Sequence, residues 1–182
     1  IFETKTAENL CLGFGCRGKG FFAKVSLIFL IYKEFMMVFE DYFSELQADM
    51  VSICLEYVQG QADKIYIYTC FEPRISSCGY FFVINGKLLQ RHKVTEELPE
   101  CDIELQTQVM DIIMEDLYKL NDVCTQFNQP MPTEIKMVYD VKNNSLSANY
   151  QYDLIIQASD TLIPQLVEEA WFEEIKQQMV NN

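Results

Sequence analysis

The stretch GYFFVINGKLLQRHKV, residues 79–94, decides the fold class of this chain. Its first six residues are mostly aromatic or β-branched, which is typical of a strand. Asn85-Gly86 then supplies the two positive φ angles of a two-residue hairpin turn. The residues from Lys87 to Val94 are therefore predicted to return as an antiparallel strand.

Further elements are predicted before this hairpin. Apolar residues recur at three- and four-residue steps from Val38 to Gln59, which indicates a helix packed on one side. A strand is expected from Lys64 to Phe71, and Pro73 ends it.

The elements after the hairpin complete the fold prediction. A long helix is expected from about Ile103 to Phe127, and a second hairpin pairs Ile135–Val141 with Leu146–Tyr152 across a turn at Asn143-Asn144. The last helix begins near Pro164, a residue suited to a first helical turn. The predicted order is α-β-β-β-α-β-β-α. Because hairpins link its strands, the sheet should be largely antiparallel and the class α+β.

Charge is unevenly distributed along the 182 residues. The whole chain has 14 basic and 27 acidic side chains, a net charge of −13. Residues 1–37 have a net charge of +2, whereas residues 38–182 have nine basic and 24 acidic side chains and a net charge of −15. A surface that binds phosphates needs positive charge, so nucleic acid is not expected as a direct ligand.

The change in composition falls at Met36-Met37, where the first predicted helix begins. Lys33-Glu34 can be encoded by AAGGAG, the purine run that bacterial ribosomes recognise. We predict that residues 1–36 are a leader, either untranslated upstream sequence or a poorly ordered segment, and that residues 37–182 form a single α+β domain. A secretory signal is the alternative, since basic residues precede an apolar run, although no small-x-small cleavage site follows. That run is too short to span a bilayer, so no membrane partner is expected.

A glycine-rich loop offers a different function. Gly13–Gly18 spells G-x-G-x-x-G, and Gly13 through Lys19 spells most of a phosphate-binding loop. The preceding residues do not resemble a buried strand, and Gly20 stands where a Ser or Thr should reach magnesium. No cofactor is predicted. A small-ligand or nucleotide-binding enzyme that uses Gly13–Gly20 is kept as an alternative.

Residues for catalysis or metal binding are few. His92 is the only histidine, and no nucleophile or paired carboxylate frames it. The acidic pairs Glu115-Asp116, Glu168-Glu169 and Glu173-Glu174 lack the His that metal-binding helices usually add, and we interpret them as solvated. The sequence therefore predicts no catalytic residue, no metal site and no enzyme.

The five cysteines beyond residue 37 form no C-x-x-C pair, so buried reduced thiols are expected. A disulfide between Cys70 and Cys78, which flank the first predicted hairpin loop, is the alternative.

Two surface segments are candidates for binding a partner. Glu169 and Glu173 lie four residues apart on the last helix, an unfavourable like-charge spacing. Strand alternation places Leu146, Ala148, Tyr150 and Tyr152 on one face and Ser147, Asn149, Gln151 and Asp153 on the other. We expect the tyrosines in the core. The predicted partner-binding residues are Asn149, Gln151, Asp153, Glu169 and Glu173.

Several segments between about Met37 and Gln178 carry a resemblance to a known family. They are the helix Phe39-Glu-Asp-Tyr-Phe-Ser-Glu-Leu46, the strand Lys64-Ile-Tyr-Ile-Tyr68, the helix end Met114-Glu-Asp-Leu-Tyr-Lys-Leu120, and the run from Pro132 to Asp140 that leads to Asn149-Tyr-Gln-Tyr-Asp153. In order and spacing they resemble the YezG-type immunity proteins, small acidic bacterial antitoxins paired with secreted nuclease toxins.

The resemblance implies a cytoplasmic, non-catalytic protein that binds and neutralises a cognate basic nuclease toxin. A negative protein has the field complementary to a phosphate-binding enzyme, which speeds encounter and resists wrong partners. A stand-alone adaptor domain is the remaining alternative.

Overall fold

The computed structural model describes residues 38–102 and 104–181, which form four α-helices and one five-stranded sheet. The helices are α1 (Phe39–Tyr57), α2 (Val94–Glu97), α3 (Leu105–Gln126) and α4 (Pro164–Val180). The strands are β1 (Lys64–Glu72), β2 (Ile75–Ile84), β3 (Lys87–Gln90), β4 (Glu134–Asp140) and β5 (Ser145–Gln151), and a 3-10 turn (Arg91–Lys93) links β3 to α2. The predicted leader and the Gly13–Gly20 loop lie outside the described residues.

The sheet has the strand order β3-β2-β1-β4-β5, and every neighbouring pair is antiparallel. Helices α1 and α3 cover one side, where alternate strand residues such as Ile67, Phe82 and Met137 are fully buried. Helix α4 covers part of the other side, where Phe81 and Trp171 are buried. We call these the two-helix side and the α4 side. The α+β class and the predicted order of elements are confirmed, with α2 as an addition.

The hairpin that decided the fold is present as predicted. Asn85 and Gly86 have φ angles of 52° and 74°, the left-handed values that a two-residue turn requires. Strand β2, however, begins at Ile75, because Arg74 adopts a φ of 66° and closes a tight turn after Pro73. The polar Ser76 and Ser77 concealed this start from a hydrophobicity pattern.

The early start of β2 rules out the alternative disulfide. Cys70 pairs in register with Ser77, and Cys78 with Thr69. Cys70 packs on the α4 side and Cys78 on the two-helix side, so the sheet separates their side chains. All five cysteines of the described residues are free and buried.

Strand β3 ends at Gln90 rather than at the predicted Val94. Continued alternation from Leu88, which packs on the α4 side, would send Val94 to that side too. Instead the 3-10 turn and α2 rotate Val94 and Leu98, four residues apart, into the two-helix side, where both are buried. Burial of these two side chains favours the helical turn over a longer strand.

The predicted helices α1, α3 and α4 are confirmed with shifts of one to two residues at several ends. On α3 the apolar residues at three- and four-residue steps, Val109, Ile113, Leu117, Leu120 and Cys124, are buried, whereas Phe127 beyond its end is only partly covered. None of the helices in the described residues combines the length and apolar character needed to cross a bilayer.

Candidate functional site

The five predicted partner-binding residues are all exposed. Asn149 and Gln151 lie on β5 opposite Lys136 and Glu134 of β4, and their side chains share the α4 side of the sheet, as alternation predicts. Tyr150 projects to the two-helix side but is 37% exposed, and Tyr152 lies beyond the end of β5 and is 52% exposed. Neither tyrosine is therefore the core residue that we expected.

The structure divides the five residues into two groups. Glu169 lines a cavity of about 160 Å³ with Arg91 and His92, so it faces the β3 edge. Glu173 lines a neighbouring groove of about 470 Å³ with Lys93 in the same region. Asn149 instead lies beside Lys136, whose Nζ is 5.8 Å from the ring centroid of Trp171. Glu169 and Glu173 thus lie towards the β3 edge and Asn149 lies on the β5 edge, so the two groups do not form one site.

Three of the five predicted residues, Glu173, Gln151 and Asp153, take part in local contacts. Lys176 bonds both carboxylate oxygens of Glu173 at 2.9 and 3.0 Å, which offsets the like-charge spacing to Glu169. The side-chain oxygen of Gln151 accepts the Tyr152 N–H at 2.9 Å and so fixes the end of β5. The hydroxyl of Thr133 donates to the carbonyl of Asp153 at 2.8 Å, which leaves the Asp153 carboxylate at the surface.

Glu168, expected to be solvated, lies under α4 against the sheet. Its side chain is 19% exposed, and its carboxylate occupies the space above Gly79, where a Cβ atom would overlap it. Arg91 Nη1 lies 3.7 Å from its Oε1. Burial raises the pKa of Glu168; Arg91 opposes this rise and Glu169 adds to it. Residue 79 therefore has to be a glycine for this carboxylate to fit against the sheet.

Asp116 is a second acidic residue that we wrongly expected in solvent. Its side chain is fully buried between α3 and α1, while the adjacent Glu115 is exposed. Lys119 lies 2.9 Å from one carboxylate oxygen, and the other oxygen has no hydrogen-bond partner among the described residues. Burial raises the pKa of Asp116, with Lys119 opposing and Asp49 reinforcing the rise.

Glu72 holds the loop that joins β5 to α4. The residue is 4% exposed, and its carboxylate accepts the backbone N–H groups of Ile155, Ile156 and Gln157 at 2.7 to 2.8 Å. Burial alone would raise the pKa of Glu72, but these three bonds hold it below the usual value. Glu72 thus fixes the approach to α4, a role that sequence reasoning missed.

Helix α1 carries more exposed carboxylates than any other described helix or strand, and α3 adds further ones beside it. These helices pack antiparallel, since Phe39 meets Phe127 at one end and Tyr57 bonds Gln106 at the other. Eight exposed carboxylates lie along the pair, and Lys119 is the one basic residue in the two helices. The eight are Glu40, Asp41, Glu45, Asp49, Glu56, Asp111, Glu115 and Asp122. We call this surface the acidic helix face; the four-residue spacing of Asp41, Glu45 and Asp49 was its sequence signal.

Reactive groups are not gathered at any point of the described ranges. No group of three or more His, Cys, Asp or Glu residues there has the arrangement to hold a metal ion. Burial raises the pKa of Cys70 to about 11 and that of Cys78 to about 12, so both thiols are protonated at neutral pH. A protonated, buried thiol is a poor nucleophile.

Comparisons with known proteins do not assign this chain to a family. No family model matches the sequence, and no curated protein matches it significantly.

Proposed function

We propose that this chain is a non-catalytic immunity protein of the bacterial cytoplasm that binds and neutralises a cognate basic nuclease toxin. The observation that carries the proposal is the acidic helix face. Asp41, Glu45 and Asp49 follow one another at four-residue steps on α1, so they repel one another in the free protein, and a positively charged partner relieves this repulsion. The YezG-type resemblance supports the same conclusion.

A nuclease offers the matching surface because it must hold phosphates. Of the nine basic residues beyond residue 37, five form salt bridges within the described residues, so little positive charge is left to compete for a partner. The carboxylates would steer association, and binding should weaken as salt rises. Glu169 and Glu173 supply a second candidate surface, on α4, and the other predicted residues, Asn149, Gln151 and Asp153, lie apart from it on or just after β5.

The test is inhibition of the toxin encoded beside this gene. Purified full-length protein should suppress the toxin's cleavage of DNA or RNA at stoichiometric concentrations, and suppression should fall with added salt. A neighbouring gene that encodes no nuclease toxin, or a toxin whose cleavage is unaffected, would refute the proposal.

Paired variants separate the two candidate surfaces. Glu45→Gln with Asp111→Asn removes two charges from the acidic helix face, and neither residue takes part in a salt bridge within the described ranges. Glu169→Gln with Glu173→Gln removes the same charge from α4. The helix-face pair should weaken inhibition more.

Deleting residues 1–36 separates the immunity function from the alternative enzyme. An inhibitor should keep its effect without the Gly13–Gly20 loop. A nucleotide-binding enzyme that depends on this loop should lose its activity.

A further inference from the structure

The two edges of the sheet are protected differently. β3 is four residues long, begins at Lys87 and runs directly into Arg91–Lys93, so it is short and basic. β5 is seven residues long, Ser145-Leu-Ser-Ala-Asn-Tyr-Gln151, with no charged residue, no proline and an unbroken register on β4. Proteins usually guard an open edge with charge, proline, a bulge or shortness. No described strand pairs with the outer edge of β5, and none of these guards is present on it.

The free backbone groups of β5 follow from the hydrogen bonds of the inner strands. Val141 donates to Asp63 and Phe71 donates to Thr133, so the odd-numbered residues of β4 bond to β1. The even-numbered residues of β4 therefore bond to β5, where they face its odd-numbered residues. The N–H and C=O groups of Leu146, Ala148 and Tyr150 point away from the sheet.

The residues of β5 are arranged symmetrically about Ala148. Polar Ser147 and Asn149 flank it, and apolar Leu146 and Tyr150 follow on either side. If two copies of β5 pair antiparallel with Ala148 opposite Ala148, Leu146 of each copy lies opposite Tyr150 of the other. These two side chains are 38% and 37% exposed, and the pairing covers both without placing like charges together.

A cavity on the two-helix side fits this pairing. It measures about 260 Å³ and is lined in part by Phe39, Phe43 and Tyr150. Tyr150 is fixed there by hydrogen bonds to Gln47 at 3.0 and 3.1 Å, with its ring 5.7 Å from that of Phe43. Leu146 of a second copy, opposite Tyr150, would lie at the mouth of this cavity.

We infer that β5 binds β5 of a second copy of this chain, which joins the two sheets into one of ten strands. Charge favours this occupant, because residues 38–182 of two copies, with a net charge of −15 each, repel through most of their surfaces but not through an uncharged strand. A basic partner would instead be drawn to the carboxylates. The side chains of Asn149 and Gln151 stay exposed in the dimer, so dimerisation leaves them free to bind another partner. The inference rests on β5 alone and not on the proposed function.

The test is sedimentation velocity of the full-length protein over a wide concentration range. We expect a reversible monomer–dimer equilibrium. Ala148→Pro should weaken dimerisation by at least about tenfold, because proline removes an outward N–H and obstructs the new pairing while sparing the bonds to β4. Gln90→Pro is the matched control on the other edge; Gln90 has a φ of −67°, which proline accepts, and this variant should dimerise normally.

A second pair of variants covers the case in which Ala148→Pro disturbs folding. Leu146→Lys places a charge opposite Tyr150 of the second copy and should also favour the monomer. Leu162→Lys makes the same change at an equally exposed residue, 37% against 38%, in the loop before α4 and should leave the dimer intact. A protein that is monomeric at every concentration would overturn the inference. So would a dimer that neither Ala148→Pro nor Leu146→Lys weakens.

Discussion

At the scale of single residues, the most informative side chains are two glutamates whose surroundings shift their pKa values in opposite directions. Glu72 accepts three backbone N–H groups, which favour its charged form, whereas Glu168 is held in a buried position, which favours its neutral form. The same residue type therefore stabilises the fold at one position and opposes it at the other. Substitution by the isosteric Gln should separate these effects.

Glu72→Gln should destabilise the protein by roughly 1–3 kcal/mol at pH 7, because a neutral amide cannot accept the three N–H groups equally well. The pKa of Glu72 is lowered in the folded state, so its contribution is present above the ordinary glutamate pKa and is lost as pH falls through the folded value. Urea unfolding at pH 7 and pH 3 should show the difference from wild type shrinking at the lower pH. An equal loss of stability at pH 7 and at pH 3 would contradict the role of the Glu72 charge. Glu56→Gln, on the exposed side of α1, is the control.

Glu168→Gln should have the opposite effect. The pKa of Glu168 is raised, so its ionisation opposes folding above the ordinary glutamate pKa and is harmless below it. We expect the variant to be more stable than wild type at pH 7 by on the order of 1 kcal/mol, the scale of a desolvation cost, and equal to it near pH 3. Urea unfolding at pH 7 and pH 3 measures both of these stability differences. Destabilisation at pH 7 would mean that the contact with Arg91 outweighs burial.

At the scale of elements, α4 is held on the sheet mainly through Trp171. This side chain is 7% exposed and meets Phe81 and Tyr66 edge-on, with ring centroids 5.1 and 5.7 Å away. Lys136 approaches its ring from β4. Val167, Phe172 and Ile175 of α4 pack against the same cluster but are only partly buried, so Trp171 contributes the largest buried side chain of the helix.

Trp171→Ala should cost about 3–5 kcal/mol, the usual range for deleting a buried aromatic side chain. Trp171→Phe, which keeps an aromatic ring against Phe81, should cost less. Because Trp171 is the only tryptophan of the chain, its fluorescence in the wild-type protein also reports when α4 leaves the sheet. Chemical unfolding monitored by circular dichroism compares the variants. Equal losses of stability for Trp171→Ala and Trp171→Phe would show that the ring contacts contribute little.

Features that depend on nearby residues could be predicted from the sequence, and those that depend on distant ones could not. Asn85-Gly86 dictates its hairpin through its own φ angles, and alternation correctly placed Asn149 on β5. The role of Glu72 depends on amide groups 83 to 85 residues later, which no local pattern connects to it.

Asp116 and Glu168, which we expected in solvent and which are buried, did have a signal of burial in the sequence. Asp116 lies between Ile113 and Leu120 on the buried stripe of α3, so its position already predicted burial. Glu168 lies one turn before Trp171 and shares its side of α4 in the same way. Their charge led us to expect both in solvent. The acidic helix face needed the structure, because only packing places α1 beside α3.

At the scale of the whole molecule, the acidic helix face departs from what stability alone would favour. Asp41, Glu45 and Asp49 lie at four-residue steps on α1, and each such like-charge pair costs a helix a few tenths of a kcal/mol. α1 has no basic residue to offset them. A surface retained at a cost to stability is expected where the charges serve binding.

Glu45→Lys should therefore stabilise the free protein and weaken its action on the toxin. It turns two repulsive pairs, with Asp41 and Asp49, into attractive ones, and we expect a gain of about 0.5–1 kcal/mol in unfolding free energy at low salt. Glu45→Gln, which removes the repulsion without adding attraction, should give about half of that gain. Both gains should fade at 1 M salt, where the Debye length is about 3 Å. Stability that rises without any loss of toxin inhibition would assign the acidic helix face a role other than toxin binding, and loss of inhibition with falling stability would point to misfolding rather than charge.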